Sequence, residues 1–145
     1  MRPELIILVC FILAIGLVGF AWAKTCCAQE STGKGRVQMQ DLSSQEFKKW
    51  LDTKRRQAFL LDVRTQAEYD EGHISQPDAR IDYREIRQNL DQLPQDKDMP
   101  ILVYCRSGNR SAQAAQTLLD LGYTQVYNLE KGILDWQAQG FLVNK

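Results

Sequence analysis

The chain lacks features that mark several classes of protein. Its 145 residues include one histidine and four cysteines, and 18 basic residues are balanced by 18 acidic ones. The resulting zero net charge argues against a nucleic-acid-binding protein, which normally carries a basic excess to neutralise phosphates. A hydrophobic content of 44% with only 25% charged residues argues against an acidic disordered segment. With no internal repeat or low-complexity stretch, the length fits one domain with its own core.

The cysteines do not form the pattern of a metal site. Cys10 lies in an apolar N-terminal stretch, Cys26 and Cys27 are adjacent in a segment with Gly, Ser and Thr, and Cys105 stands alone. No second cysteine pair or histidine cluster accompanies them, so we predict no metal and no organic cofactor. Two interpretations of Cys26 and Cys27 remain: they are incidental linker positions, or they are sites of modification or of redox exchange with Cys105.

The N-terminal region is uncharged from residue 5 to residue 23. About 20 such residues can cross a bilayer as a helix. The stretch also matches a secretory signal, with Arg2 before it and the small-x-small sequence Ala21-Trp22-Ala23 at its end. We expect residues 1–23 to be a signal peptide cleaved after Ala23 or a membrane anchor, and residues 24–36 to be a linker. The domain is then exported to the periplasm or another extracytoplasmic space, an anchored, cytoplasm-facing form being the alternative.

Beyond the linker, short apolar runs alternate with segments of helical period. The predicted strands are Val37–Met39, Ala58–Val63, Arg80–Asp82, Pro100–Tyr104 and Val126–Asn128. The predicted helices follow the capping box at Ser43–Glu46 and cover Gln66–Glu71, Ile86–Leu93, Ser111–Leu121 and Gly132–Gln139. Strands that alternate with helices predict right-handed crossovers and a mainly parallel sheet covered on both faces. The expected fold is a three-layer α/β domain with five strands, over residues 37–142.

One loop concentrates residues that carry chemistry. Cys105 directly follows a predicted strand and opens the stretch Cys-Arg-Ser-Gly-Asn-Arg-Ser that leads into a helix. Ligands of open α/β sheets bind beyond the carboxyl ends of strands. Backbone N–H groups and a helix N-terminus at this junction favour the thiolate form of the cysteine. No acidic residue occurs between Met99 and Leu119, so Arg106 and Arg110 are expected to be unopposed positive charges. The alternative is a buried cysteine followed by a solvated turn.

Four stretches resemble the single-domain rhodaneses, the thiosulfate sulfurtransferase family. They are Leu61–Arg64 with Glu68-Tyr69, Gly72–Ile74, Cys105–Ser111, and Asn128–Gly132 with Trp136. The resemblance implies that Cys105 attacks the outer sulfur of a donor such as thiosulfate, releases sulfite and becomes a persulfide. The sulfur would then pass to cyanide or a thiol, with a protein acceptor as a further possibility. The implied persulfide- and donor-binding loop consists of Arg106, Ser107, Gly108, Asn109, Arg110 and Ser111.

Two departures from the family pattern lie outside this loop. After Gly-His-Ile the family commonly has Pro-Gly-Ala, where this chain has Ser75-Gln76-Pro77-Asp78-Ala79. We therefore expect an altered turn near the rim of the site. Lys131-Gly132 stands where the family often has paired glycines. Both changes bear on the choice of acceptor more than on activity.

Two other functions are compatible with a cysteine at this position. A cysteine phosphatase or arsenate reductase has a C-x5-R loop around a tetrahedral oxyanion, whereas Arg110 follows Cys105 here after only four residues. The shorter loop should suit a single sulfur atom better than a phosphate group. A non-catalytic binding module or persulfide relay is the alternative from another class.

Three further residues are predicted to support the loop and not to react. Asp62 and Arg64 alternate at the end of a central strand, which favours a structural ion pair next to the loop. His73 follows a helix-ending glycine, so a structural hydrogen bond is expected in preference to general-base catalysis. Trp136, at helical spacing from Ile133, is expected in the core.

Overall fold

The computed structural model describes residues 38–145, which fold into five strands and four α-helices. The predicted leader and linker, with Cys10, Cys26 and Cys27, lie outside the described residues. Within the described range no helix is long and apolar enough to cross a membrane. The elements in chain order are β1 (Gln40–Leu42), α1 (Ser44–Lys54), β2 (Phe59–Asp62), α2 (Gln66–Glu71), β3 (Ala79–Arg80), β4 (Ile101–Tyr104), α3 (Asn109–Asp120), β5 (Val126–Leu129) and α4 (Gly132–Ala138).

The strands form one sheet in the order β1-β5-β4-β2-β3, and every neighbouring pair is parallel. The α/β class and the five-stranded parallel sheet are thus confirmed. β4, in the middle of the sheet, is buried at all four positions. Its apolar side chains belong to both faces, as expected for a strand covered by helices on each side. The residue that follows β4 is therefore held by the most rigid part of the fold.

Each face of the sheet has its own core. On one face, α3 packs Ala114, Ala115 and Leu118 against the sheet. On the other, α1 contributes Phe47 and α4 contributes Ile133 and Trp136. The ring of Trp136 is 3% exposed and its indole N–H donates to the carbonyl of Leu142, so it is a core residue as predicted. The two cores give the three layers.

Several element boundaries differ from the prediction. The first strand lies at Gln40–Leu42 instead of Val37–Met39, and the third at Ala79–Arg80 instead of Arg80–Asp82. α3 begins at Asn109, two residues earlier than predicted, because Gly108 adopts a left-handed conformation and serves as its N-cap. Arg110 therefore belongs to the first turn of the helix and not to the preceding loop.

The helix predicted over Ile86–Leu93 is wrong, since this stretch forms two separate 3-10 turns at Ile86–Gln88 and Leu90–Gln92. The break lies at Asn89, whose side-chain amide donates to the carbonyl of Glu85 at 2.9 Å. This bond occupies the acceptor that a continuing α-helix would offer to the backbone N–H of Asn89. That N–H bonds instead to the carbonyl of Ile86.

The turn at Ser75–Asp78 does not lie at the rim of the site, so that expectation is wrong. The carboxylate of Asp78 accepts from the backbone N–H of Leu60, near the start of β2, and from the guanidinium of Arg55. Ser75 has a positive φ of 48°. These contacts place the turn at the amino ends of the strands, at the edge opposite Cys105.

Candidate active site

Cys105 lies immediately beyond the carboxyl end of β4 and is completely buried. Its Sγ atom accepts a hydrogen bond from the backbone N–H of Gly108 at 3.2 Å. The hydroxyl of Ser111 lies 3.3 Å from the same sulfur and 2.9 Å from the carbonyl oxygen of Gly108. The Gly108 N–H donates to Sγ, and the single Ser111 proton can turn from the Gly108 carbonyl to the sulfur, so both groups can support negative charge there.

The sulfur also sits at the N-terminus of α3. Gly108 is the N-cap of this 12-residue helix and Ser111 is its third residue, and both contact Sγ. The N–H groups of the first helical turn have no acceptor within the helix, and they carry the positive end of the helix dipole. An anion at Sγ is therefore stabilised by the same arrangement that binds phosphates and sulfates at other helix N-termini.

The start of α4 fixes the path of the loop. The N–H of Ile133 donates to the carbonyl of Cys105 at 2.9 Å, and that of Leu134 to the carbonyl of Arg106 at 3.1 Å. These two bonds satisfy amides at the start of α4 with the backbone of the loop. The loop is thereby tied to a helix on the other side of the sheet from α3.

Two glycines make this close approach possible. Gly108 has φ +90° and a Cβ there would collide with the carbonyl oxygen of Glu130. Gly132 has φ +63°, and a Cβ there would collide with the backbone of Arg106. Both positions require the left-handed region and leave no room for a side chain. The Glu-Lys-Gly segment before α4 thus shapes the loop without touching the sulfur.

Arg110 is not the unopposed charge that the sequence indicated. Its guanidinium forms a bidentate ion pair with Glu68 of α2, with nitrogen–oxygen distances of 2.6 and 2.8 Å. The two residues are 42 positions apart in the chain, so the absence of acidic residues near the loop in sequence did not reveal the partner. Arg110 ties the first turn of α3 to α2, and half of the expected positive charge is neutralised.

Glu68 has a second role at the start of α2. Thr65 is the N-cap of this helix, and the Glu68 carboxylate accepts from its backbone N–H and its hydroxyl in a capping box. The hydrogen bonds from Arg110, above all, lower the pKa of Glu68 from 4.5 to about 2, with those from Thr65 adding to the effect and partial burial opposing it. Glu68 is therefore ionised throughout the neutral range.

Asp62 and Arg64 form a buried ion pair at the end of β2. Their closest atoms are 2.6 Å apart, and Arg64 also donates to the carbonyls of Glu68 and Gly72. Its guanidinium lies over the ring of Tyr104, 5.4 Å from the centroid. Arg64 therefore fixes the middle and the C-terminal end of α2 to the sheet, and through α2 it helps to set the position of the Glu68 carboxylate.

His73 forms no hydrogen bond with Sγ, whose partners are Gly108 and Ser111. Its backbone forms a two-bond bridge with Asn144 near the C-terminus, and its ring stacks on Tyr69 with centroids 4.1 Å apart. The ring is buried, and Nδ1 has no hydrogen-bond partner within the described residues. The residue after it, Ile74, donates its N–H to the hydroxyl of Tyr104, whose pKa is raised mainly by burial.

The remaining loop residues face outward. The side chains of Arg106, Ser107 and Asn109 are exposed. Arg106 lines a cleft of about 350 Å³ between the loop, α2 and the start of α4. Within residues 38–145 its guanidinium has no carboxylate partner, so Arg106 is the cation that the loop presents to an incoming anion.

The structure thus brings Gly108 and Ser111 to the Sγ atom of Cys105. Asp62 and Arg64 lie at the end of β2, the strand next to β4. The sequence interpretation missed Glu68 as a site residue, although its capping-box position after Thr65 was a usable signal. The expectation that the change at Lys131-Gly132 lies apart from the loop is wrong, because Gly132 packs against the backbone of Arg106 and determines the path of the loop.

A parallel sheet whose central strand delivers a cysteine to a helix N-terminus through a tight loop defines a cysteine-dependent α/β domain. The chain belongs to the family described as Rhodanese-like domain, whose model matches residues 43–139. It is 42% identical over 82 residues to a sulfurtransferase of Allochromatium vinosum, which covers 56% of this chain and 73% of that one. It is 34% identical over 89 residues to thiosulfate sulfurtransferase GlpE of Coxiella burnetii, covering 61% and 80%.

Solved structures show the same fold. A rhodanese-related protein from Thermoplasma volcanium superposes with a TM-score of 0.62 at 28% identity, covering 72% of this chain and 97% of that one. A thiosulfate sulfurtransferase from Pseudomonas aeruginosa gives 0.64 at 26% identity, covering 73% of this chain and 20% of that one. The family and these relatives support a function of the sulfurtransferase type.

Proposed function

We propose that the protein is a sulfurtransferase that carries sulfur as a persulfide on Cys105, taken from thiosulfate or a similar sulfane-sulfur donor. The observation that carries this proposal is the pair of donors on Sγ, the Gly108 N–H and the Ser111 hydroxyl, at the N-terminus of a 12-residue helix. Both groups can donate to a sulfur anion, and a thiolate is the nucleophile of sulfur exchange.

In the first half-reaction the Cys105 thiolate attacks the outer sulfur of thiosulfate. A bond forms between Sγ and that sulfur, the sulfur–sulfur bond of thiosulfate breaks, and its electron pair leaves with sulfite. Charge is conserved, because thiosulfate and sulfite are both dianions and the persulfide replaces the thiolate. Arg106, exposed beside Cys105, attracts the dianionic donor, and Arg110 contributes less because Glu68 neutralises it.

In the second half-reaction an acceptor takes the outer sulfur. Cyanide or a thiolate attacks that atom, the bond to Sγ breaks, and its electron pair restores the Cys105 thiolate. The outer sulfur lies about 2.0 Å from Sγ, so it extends beyond the fully buried thiol toward the acceptor. No metal or organic cofactor takes part in either step.

The dimensions of the loop favour sulfur over phosphate. A phosphate-binding loop must surround a tetrahedral group, yet Gly108 donates directly to Sγ at 3.2 Å and closes the loop around the sulfur. Arg110, the residue that would face a phosphate, is already bound to Glu68. Both observations support persulfide formation in preference to phosphate-ester hydrolysis.

The test is the mass of the peptide that contains Cys105 after treatment of the full chain with thiosulfate. We expect a gain of one sulfur atom that is lost on treatment with cyanide. Mapping by peptide separates Cys105 from the other three cysteines. In the Cys105→Ser variant the corresponding peptide should show no gain. An unchanged mass together with turnover of an aryl phosphate would indicate a phosphatase, and neither activity would indicate a binding module.

We also propose that the domain acts outside the cytoplasm, either released by cleavage after Ala23 or held by an uncleaved N-terminal anchor. The support is the uncharged stretch at residues 5–23, with Arg2 before it and a small-x-small sequence at its end. N-terminal sequencing of the soluble exported and membrane fractions should give Lys24 as the first residue of the cleaved form. Recovery of the full chain in the cytoplasm alone would refute the proposal.

A further inference from the structure

The cleft of about 350 Å³ beside the loop is lined by charged and apolar side chains that persulfide formation does not require. Arg106, the neighbour of Cys105, forms one side, and Glu71, at the end of α2, forms another. Ile133, Leu134 and Gln137 of α4 also line the cleft. The cleft adjoins the loop that carries the reacting sulfur, because Arg106 lines it and the N–H of Ile133, another lining residue, is bonded to the carbonyl of Cys105.

Of the four charged side chains that line this cleft, two form ion pairs with other residues. Glu68 is bound to Arg110, and the buried guanidinium of Arg64 is bound to Asp62. Arg106 and Glu71 are exposed, and within residues 38–145 neither has an ion-pair or side-chain hydrogen-bond partner. The cleft therefore offers one free cation and one free anion to a bound molecule.

The size and polarity of the cleft indicate a particular kind of occupant. Its volume is at the lower end of the range of about 300–1,000 Å³ for small-molecule sites, far more than two-atom cyanide needs. Leu134 is a large apolar side chain that is 48% exposed, and Gln137 offers an amide next to it. An apolar side chain, an amide and two opposite charges match a short peptide with free termini.

We propose that Glu71 and Arg106 select a zwitterionic thiol as the sulfur acceptor, a short peptide whose ammonium group contacts Glu71 and whose carboxylate contacts Arg106 while its thiol reaches the persulfide. This inference rests on the proposed sulfurtransferase function and specifies its acceptor. A thiol without charges, or with only one, leaves Glu71 or Arg106 unsatisfied and binds less well.

The transfer step needs no further reactant. The peptide thiol passes its proton to the anionic Cys105 persulfide and attacks the outer sulfur as a thiolate, a sulfur–sulfur bond forms to the peptide, and the bond to Sγ breaks. The electron pair of the broken bond returns to Sγ as the thiolate. The peptide leaves as a persulfide that keeps the proton of the outer sulfur, so the enzyme is ready for the next donor.

The experiment separates loading from transfer. The full chain is loaded with excess thiosulfate, loading is verified from the mass of the Cys105 peptide, and the donor is removed. The loaded protein is then mixed with Gly-Cys-Gly, its N-acetyl form or its C-terminal amide, and rates are expressed per thiolate. We expect Gly-Cys-Gly to react about three- to fivefold faster than each analogue, the range of a partly exposed ion pair.

Two variants test which residue is responsible for the preference for each charged terminus of the peptide. Glu71→Gln should abolish the advantage over the N-acetyl peptide and leave the advantage over the amide. Arg106→Gln, loaded at saturating thiosulfate, should do the reverse. Asp70→Asn is the matched control, because it removes the same charge from the neighbouring position of α2 and Asp70 does not line the cleft.

The outcomes distinguish a failure of the acceptor assignment from a failure of the proposed sulfurtransferase function. Normal loading with equal rates for the three peptides, or the same preferences in Glu71→Gln and Asp70→Asn, would overturn the acceptor assignment and leave the sulfurtransferase function standing. Failure of Cys105 to load would overturn both.

Discussion

The ion pair between Glu68 and Arg110 can be removed by the single substitution Glu68→Gln. Glutamine keeps the shape of the side chain and one acceptor oxygen, so the change acts mainly on charge. In the native protein both side chains are about a quarter exposed and their atoms approach to 2.6 Å. We expect the variant to fold, to lose stability at neutral pH, and to leave Arg110 free beside the loop.

The magnitude follows from the pKa of Glu68. The hydrogen bonds of Arg110 and, secondarily, Thr65 lower it from 4.5 to about 2. Each pKa unit corresponds to about 1.36 kcal/mol, so these contacts favour the ionised carboxylate by at most about 3 kcal/mol. Solvent reaches part of the pair and weakens it, so we expect the free energy of unfolding to fall by about 2 kcal/mol at pH 7.

The chain offers a matched control in α1. Glu46 occupies the same third helical position and forms the same capping box, with Ser43, but no arginine among residues 38–145 forms an ion pair or hydrogen bond with it. Glu46→Gln therefore removes a capping-box carboxylate alone, which should cost clearly less stability than Glu68→Gln. The difference between the two variants isolates the contribution of Arg110.

The assay is urea unfolding at a series of pH values. Because the pKa of Glu68 is lowered in the folded state, its contribution is complete above about pH 5 and disappears as the pH falls toward 2. The stability of wild type should accordingly approach that of Glu68→Gln over this range. Equal losses in the Glu68 and Glu46 variants, or a loss that does not change with pH, would refute the reasoning. Above pH 5 the freed Arg110 should also lower the KM for thiosulfate.

Two other substitutions test the construction of the site. Gly108→Ala places a Cβ against the carbonyl of Glu130 at φ +90°, whereas Gly122→Ala has the same φ and open space around it. We expect about 1–2 kcal/mol of strain for Gly122→Ala and a clearly larger loss, with failure to load sulfur, for Gly108→Ala, both measured by urea unfolding and peptide mass. Asp62→Asn leaves the guanidinium of Arg64 buried without a counter-charge and should cost about 3–5 kcal/mol. A loss below about 1 kcal/mol would show that the pair is not needed to hold α2.

The sequence predicted the parts of the fold that depend on local pattern. Buried strands such as Ile101–Tyr104 stand out as apolar runs, and the capping box at Ser43 marks a helix start that the structure contains. Local pattern failed at Asn89, where a side-chain hydrogen bond replaces the next turn of a helix with apolar residues at suitable spacing. The spacing of apolar residues indicates which face of a helix would be buried, but it gives no sign of a competing side-chain hydrogen bond.

The features of the candidate site also divide into those that local sequence predicts and those that depend on the packed fold. Cys105 and its loop could be predicted, because strand, cysteine, glycine and helix follow each other in the chain. The charge around the cysteine could not, because it depends on Glu68, which is 42 residues from Arg110 and reaches it only after α2 is fixed to the sheet by Arg64. Pairing across such distances is a property of the packed fold.

The bonds between the loop and α4 have a consequence for how this scaffold can diverge. The carbonyls of Cys105 and Arg106 are held by the first amides of α4, and Gly132 and Glu130 press on the same loop. An inserted residue that widened the loop for a phosphate ester would have to move the start of that helix as well. The size of the loop and the position of the start of α4 are therefore coupled, although the two segments lie about 25 residues apart in the chain.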